Sequence, residues 1–199
     1  MRSKTFLLPF LATLLAACSG GELVGVHVAL AADGSGTVTT RALLLPADPN
    51  RAESLASGAK WSLRAALVAS QGTFARIADL RLGDGTLTFQ PDLDGERPGL
   101  RVRLKRGPGT TWIEALVPDR DTRRSMAGAY DPTGRTKEIA EVLRLEIETP
   151  ATVITSGVLP TGRGVEADRE GRRAVLLLPV RTAVEPGEDF VWEISWLRQ

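Results

Sequence analysis

The stretch that decides the fold is ELVGVHVALAADGSGTVTTRALLL, residues 22–45. From Glu22 to Leu30 the residues alternate, and one face carries four aliphatic side chains, those of Val24, Val26, Val28 and Leu30. This period of two is typical of a β-strand with one buried face. The sequence Asp33-Gly34-Ser35-Gly36 is typical of a turn, and Thr37 to Leu45 is a second β-rich run. Together these features predict a β-hairpin.

Two helices are predicted. Asp48 and Pro49 supply an N-cap followed by a proline at the first helical position, and residues 50–69 are rich in Ala, Leu, Ser and Arg. We therefore expect a helix over 50–69. A second helix is predicted over 136–143, at the end of the polar segment that begins at Pro118.

Short β-like segments separated by turns such as Gly83-Asp84-Gly85 fill most of the remaining chain. The predicted strands are 74–82, 86–90, 100–105, 111–117, 144–148, 151–159, 173–180 and 188–196. The glycine- and charge-rich segment 161–171 is predicted to be a loop. No repeat and no Pro- or Ser-rich linker divides the sequence. The simplest fold is a single α+β domain over 22–199, with an antiparallel sheet and one or two packed helices.

The N-terminus has the features of an export signal. Arg2 and Lys4 precede a largely apolar stretch of 10 residues, 6–15, which is shorter than the roughly 20 residues that a transmembrane helix needs. The sequence Leu15-Ala16-Ala17-Cys18 that follows resembles the lipobox of bacterial lipoproteins. That resemblance implies a diacylglyceryl group on the Cys18 thiol and cleavage before it. We therefore expect a signal peptide over 1–17, and an acylated cysteine with a short tether over 18–21.

Composition narrows the possible partners and sites. The 25 basic and 24 acidic residues give a formal charge of +1, which offers no global field to attract nucleic acid. Cys18 is the sole cysteine, so an intramolecular disulfide and Cys-based metal sites are excluded. The expected partner is a membrane, reached through the N-terminal lipid. The expected location is the periplasmic face of the cell membrane or outer membrane. Ser19 after the cysteine resembles the sorting signal of enterobacterial lipoproteins, and this resemblance favours the outer membrane.

Catalytic signals are weak. His27, the only histidine, lies in the middle of a predicted strand, and no Gly-x-Ser-x-Gly motif accompanies it. Asp92 and Asp94 begin like a calcium loop, but Arg97 and Arg103 occupy the positions of the required Gly and Glu. We therefore expect no enzyme activity, no cofactor and no metal. A hydrolase that uses two carboxylates stays open as an alternative.

Four side chains are candidates to face a ligand. Trp192 and Trp196 share one face of a predicted strand, where they either line an apolar groove or seal the core. Arg101 and Arg103 alternate with apolar residues on another strand. They either bind lipid phosphates or form a solvated sheet face.

Three segments resemble those of the LppM-type bacterial envelope lipoproteins. They are Asp33 to Val38, Arg144 to Gly157 and Phe190 to Trp196. The resemblance implies an α+β domain outside a membrane, with a cavity for a lipid or glycolipid. Because these segments contain no catalytic residues, the resemblance assigns no active site.

These observations predict a lipid-anchored, non-enzymatic envelope protein. It is expected to bind an apolar or amphipathic ligand, such as a lipid or glycolipid, or an envelope partner. The alternative is a structural or assembly lipoprotein that acts through protein–protein contacts.

Overall fold

A computed structural model describes residues 25–42, 56–57, 62–64, 68–116 and 142–198. In these residues the strands are, in chain order, β1 (Gly25–Leu30), β2 (Gly36–Ala42), β3 (Ala56–Ser57), β4 (Ser62–Arg64), β5 (Val68–Phe74), β6 (Arg81–Leu82), β7 (Leu87–Asp92), β8 (Gly99–Leu104), β9 (Val142–Glu148), β10 (Val153–Leu159), β11 (Glu166–Glu170), β12 (Arg173–Pro179) and β13 (Phe190–Trp196). The helices of this part are α1 (Thr111–Leu116), α2 (Val180–Val184) and a 3₁₀ turn over Ile77–Asp79.

The strands form two sheets. One has seven strands in the order β11-β12-β9-β1-β2-β5-β4, and the other has six in the order β10-β13-β8-β7-β6-β3. Within the described residues, β1 and β9 are parallel and the other neighbouring strands are antiparallel. The α+β class predicted from the sequence is confirmed, with two sheets and one parallel pair.

The apolar faces of both sheets share one core. Val28 and Val38 from the seven-stranded sheet, and Val102 and Trp192 from the six-stranded sheet, are fully buried in the same cluster. Fully burying one such aliphatic side chain contributes about 1.5–3 kcal/mol. The apolar residues that alternate along these strands in the sequence are therefore the ones that lie in the core.

The predicted N-terminal hairpin is confirmed. β1 and β2 pair antiparallel with Val28 opposite Val38. In the connecting turn, the carboxylate of Asp33 accepts hydrogen bonds from the amide and the hydroxyl of Ser35, at 3.0 and 2.6 Å. Gly34 has φ +83°, a left-handed conformation that glycine adopts without strain. The predicted extension of the second strand to Leu45 lies outside the described residues.

The helix predicted over 50–69 is wrong where the structure describes it. Residues 56–57 and 62–64 are strands, and Val68 already belongs to β5. Along β5, Ser70, Gly72 and Phe74 are buried while Gln71 and Thr73 are exposed, which is a period of two. The pairing of β5 with β2 over its whole length outweighs the helix propensity of this Ala-rich segment. The rest of 50–69 lies outside the described residues.

The strand predicted over 111–117 is also wrong, because residues 111–116 form helix α1. Its buried residues Trp112, Ile113 and Leu116 have spacings of one and three, which place them on one helical face. The hydroxyl of Thr111 donates to the carbonyl of Gly83 at 2.8 Å and holds the helix against the turn 83–86.

Three further elements differ from the prediction. Of the strand expected over 74–82, Phe74 is the last residue of β5, residues 77–79 form the 3₁₀ turn, and residues 81–82 form β6. The loop expected over 161–171 contains β11, because residues 166–170 pair with β12 in spite of their charge. Of the helix expected over 136–143, residues 142–143 belong to β9, and 136–141 lie outside the described residues.

The two sheets pack face to face as a sandwich, and the strand registers define its two ends. We call the end at which β1 begins the proximal end, and the end at which β1 finishes the distal end. Gly25 pairs with Arg144 near the start of β9, so helix α2, which follows the antiparallel strand β12, lies at the proximal end. Arg106, after β8, reaches α2 through a hydrogen bond from Nε to the carbonyl oxygen of Thr182. The end of β8 and the start of β13 therefore lie there too.

Residues 1–24 lie outside the described part, so the predicted boundaries after residues 17 and 21 stay predictions. Within the described residues, no helix has the length and apolar character to cross a membrane.

Candidate functional site

The tryptophans of β13 lie in the core. Trp192 is fully buried, and its indole Nε1 donates to the hydroxyl of Ser156 at 3.0 Å. Trp196 is also buried, and its edge lines a small apolar depression of about 170 Å³ at the distal end, beside Leu93 and Leu197. Both rings are therefore part of the core, and Trp196 also lines the depression. A ligand-facing role for either ring stays a prediction.

Arg101 and Arg103 point outward from β8, as the alternation predicted, but each is paired. Arg101 donates from Nε and Nη2 to one carboxylate oxygen of Glu193, at 2.9 and 2.7 Å. Arg103 binds Asp189 in the same way, at 3.0 and 2.8 Å. A lipid phosphate would have to compete with these carboxylates, so phosphate binding by Arg101 and Arg103 stays a prediction.

A depression with a volume of about 330 Å³ lies on the outer face of the seven-stranded sheet, and we call it the charged depression. It is lined by residues of β1, β2, β9 and β12, namely Gly25, Val26, His27, Thr39, Arg41, Arg144, Glu146, Glu148 and Arg173. With three arginines and two glutamates, it has a formal excess of one positive charge when His27 is neutral.

The strand registers bring these side chains together. His27 lies opposite Thr39 of β2 on one side and Glu146 of β9 on the other. Glu148 in turn lies opposite Arg173 of β12. Side chains at paired positions share one face of a sheet, so polar residues from four strands meet on the side away from the core.

One ion pair holds the centre of the depression. The guanidinium of Arg144 donates from Nη2 and Nε to Oε2 of Glu146, at 2.9 and 3.2 Å. The other oxygen of Glu146 is 3.6 Å from Nε of Arg173 and 3.8 Å from Nε2 of His27. These two separations are longer than direct hydrogen bonds.

A second carboxylate is held more loosely. Oε2 of Glu148 is 4.0 Å from Nε2 of His27, and its Oε1 is 3.5 Å from Nη2 of Arg172. The depression therefore presents donors and acceptors side by side, which suits a polar group that itself carries both.

Sequence reasoning did not identify this site. The alternation of Arg144, Glu146 and Glu148 was visible as an outward strand face, and His27 as a residue on the less apolar face of β1. The parallel pairing of β1 with β9 brings these residues together. The two strands are far apart in the chain, and no local sequence pattern indicates that they pair. Cys18 lies outside the described residues, and in the described ones no group of three His, Cys, Asp or Glu side chains is arranged to hold a metal.

Comparison with known proteins gives a distant likeness. No family model matches the chain, and no curated protein matches it. Among solved structures, the chain is similar to the folded domain of LppM from Mycobacterium tuberculosis, determined by NMR. The two are 14% identical with a TM-score of 0.41, over 88% of this chain and 90% of that one. The signal peptide and lipobox are not part of what this comparison shows.

Proposed function

We propose that this chain is a lipid-anchored protein of the cell envelope that binds the polar group of an amphipathic ligand, a lipid or glycolipid, in the charged depression. The observation that carries the proposal is the concave arrangement of His27, Glu146, Glu148 and Arg173 on an otherwise regular sheet face. The sequence Leu15-Ala16-Ala17-Cys18 supports the anchor and the periplasmic location.

The charged depression suits the polar part of such a ligand. Trp192, Phe190 and Leu104 are fully buried in the core between the sheets, whereas the charged depression is open at the surface. The guanidinium of Arg173 is exposed and can donate to a phosphate or carboxylate. Glu148 can accept from hydroxyl or ammonium groups of the same ligand.

Binding, and not catalysis, is proposed because of how the imidazole is held. Nε2 of His27 lies 3.8 and 4.0 Å from the carboxylates of Glu146 and Glu148. A catalytic imidazole is oriented by a hydrogen bond of about 2.6–3.2 Å. The charged groups around His27 therefore resemble a recognition surface more than a proton relay.

Removing one guanidinium tests the site. We expect Arg173→Ala to lower the fraction of protein that retains envelope lipid in native mass spectrometry, by about tenfold if one charge-assisted hydrogen bond is lost. The matched control is Arg101→Ala, because the two side chains have similar exposure, 60% and 57%, and the same charge.

The opposite result would contradict the proposal. Lipid retention that falls with Arg101→Ala and not with Arg173→Ala would move the site to the outer face of the six-stranded sheet. Retention of no lipid by the unaltered protein would also contradict it. A cross-linked protein neighbour that disappears with Arg173→Ala would favour the alternative of an assembly lipoprotein.

A further inference from the structure

Three large apolar side chains are exposed in the described residues. Two of them lie at the proximal end of the sandwich and one lies at the distal end. Leu159 is 59% exposed, Leu197 53% and Val184 38%. Leu159 ends β10 opposite Val191 of β13, and Val184 ends α2, so both lie at the proximal end. Leu197 follows β13 at the distal end.

We infer that the proximal end of the sandwich rests on the bilayer, with Leu159 and Val184 in its interfacial region. The inference rests on the proposed lipid anchor at Cys18, and it adds which surface of the domain faces the membrane and which residues touch it.

The length of the tether supports this orientation. Cys18 and Gly25 are seven positions apart, so the chain between them spans at most about 25 Å. Gly25 begins β1 at the proximal end. The distal end is further from the anchor by the length of a six-residue strand, about 20 Å. The anchored cysteine is therefore nearer to the proximal end along the chain, which favours contact of that end with the bilayer.

The polar residues around these apolar side chains fit an interface. Lys105 and Arg181 are exposed at the same end, and long cationic side chains reach lipid phosphates while their stems stay in apolar surroundings. Arg163 lies there as well, 3.5 Å from Glu185, and Glu188 is exposed nearby. These two carboxylates offset two of the three cations, so we expect contact to depend on the apolar side chains more than on anionic lipid.

The single cysteine permits a direct test. If Cys18 carries a thioether, the wild-type protein has no reactive thiol, and Leu159→Cys, Val184→Cys and Leu197→Cys each create one. Each variant is purified from membranes and labelled with an environment-sensitive fluorophore. It is then reconstituted into phosphatidylcholine vesicles that contain a lipid with a quencher on its acyl chain.

We expect the fluorophores at positions 159 and 184 to shift to shorter wavelength and to be quenched. The fluorophore at position 197, which has comparable exposure, is expected to stay solvated and unquenched. Equal quenching at 159 and 197, or stronger quenching at 197, would overturn the inferred orientation.

Failure of the anchor is distinguishable from failure of the orientation. A wild-type protein that reacts with the label has a free Cys18 thiol, and this result would overturn both the anchor and the contact that depends on it. A wild-type protein that does not react, together with an unquenched label at 159, would overturn the orientation alone.

A second measurement avoids the fluorophore. We expect Leu159→Ser to raise the rate at which the lipidated protein transfers between phosphatidylcholine vesicles by about tenfold, since it removes one large apolar contact. Leu197→Ser, the matched change at the other end, is expected to leave the rate unchanged. Equal rates for Leu159→Ser and the unaltered protein would count against the inference.

Discussion

At the scale of single residues, the turn of the N-terminal hairpin depends on an ionised side chain. The hydroxyl and then the amide of Ser35 donate to the carboxylate of Asp33, and these hydrogen bonds lower the pKa of that carboxyl below its ordinary value of 3.8. Because the folded-state pKa is the lower one, the stabilisation is present above pH values near 4. It is lost as the pH falls through the folded-state pKa.

We expect an NMR titration to show the Asp33 carboxyl and the Ser35 amide changing together, with a midpoint below the ordinary value. Asp33→Asn should remove the change at the Ser35 amide, since an amide side chain does not titrate. A midpoint at or above 3.8 would contradict the role given to these two hydrogen bonds.

At the scale of elements, the pairing of β1 with β9 depends on a glycine. A Cβ atom at Gly25 would lie 1.9 Å from the carbonyl oxygen of Arg144, on the neighbouring strand. Nothing lies within 4 Å of a Cβ atom at Gly157, which is also in a strand. The two glycines therefore form a matched pair, one in close contact with backbone and one in open space.

We expect Gly25→Ala to lower the free energy of unfolding by about 1–3 kcal/mol, because the strands have to separate to admit the methyl group. Gly157→Ala should leave it unchanged or raise it slightly, since alanine reduces the freedom of the unfolded chain. Urea denaturation followed by circular dichroism measures both. Equal effects would show that the close approach at Gly25 is not important for stability.

Elements were predictable from the sequence where their own alternation identifies them. β1, β8 and β13 have a regular period of two with strongly apolar inner faces, and β2 follows β1 after a clear turn signal. The described parts of these four strands confirm their predictions. α1 and β11 were not predictable, because one is a helix of only six residues and the other is charged except at Ala167. Their conformations depend on Gly83 and β12, which lie elsewhere in the chain.

At the scale of the whole molecule, the charged depression was beyond sequence reasoning for a similar reason. Its residues come from both halves of the chain, and only the parallel register of His27 with Glu146 joins them. Alternation shows which residues point outward, but it does not show which strands are neighbours.

The anchor is also a property of the whole molecule. We expect the protein purified from membranes to carry a mass increase that corresponds to a diacylglyceryl group on Cys18, with residues 1–17 removed. Cys18→Ala should lack this mass increase and keep residues 1–17, because the cleavage implied by the lipobox follows acylation of the cysteine. A diacylglyceryl mass increase that persists in Cys18→Ala would contradict the proposed anchor.

The parallel pair also has a consequence for how the chain reaches its folded state. β1 is an inner strand, yet its partner on one side, β9, begins only at Val142. The N-terminal hairpin therefore has an unpaired edge until β9 reaches it, and such edges promote association between incompletely folded chains. Because pairing of strands far apart in the chain is intrinsically slow, we expect the contact between β1 and β9 to form late in folding.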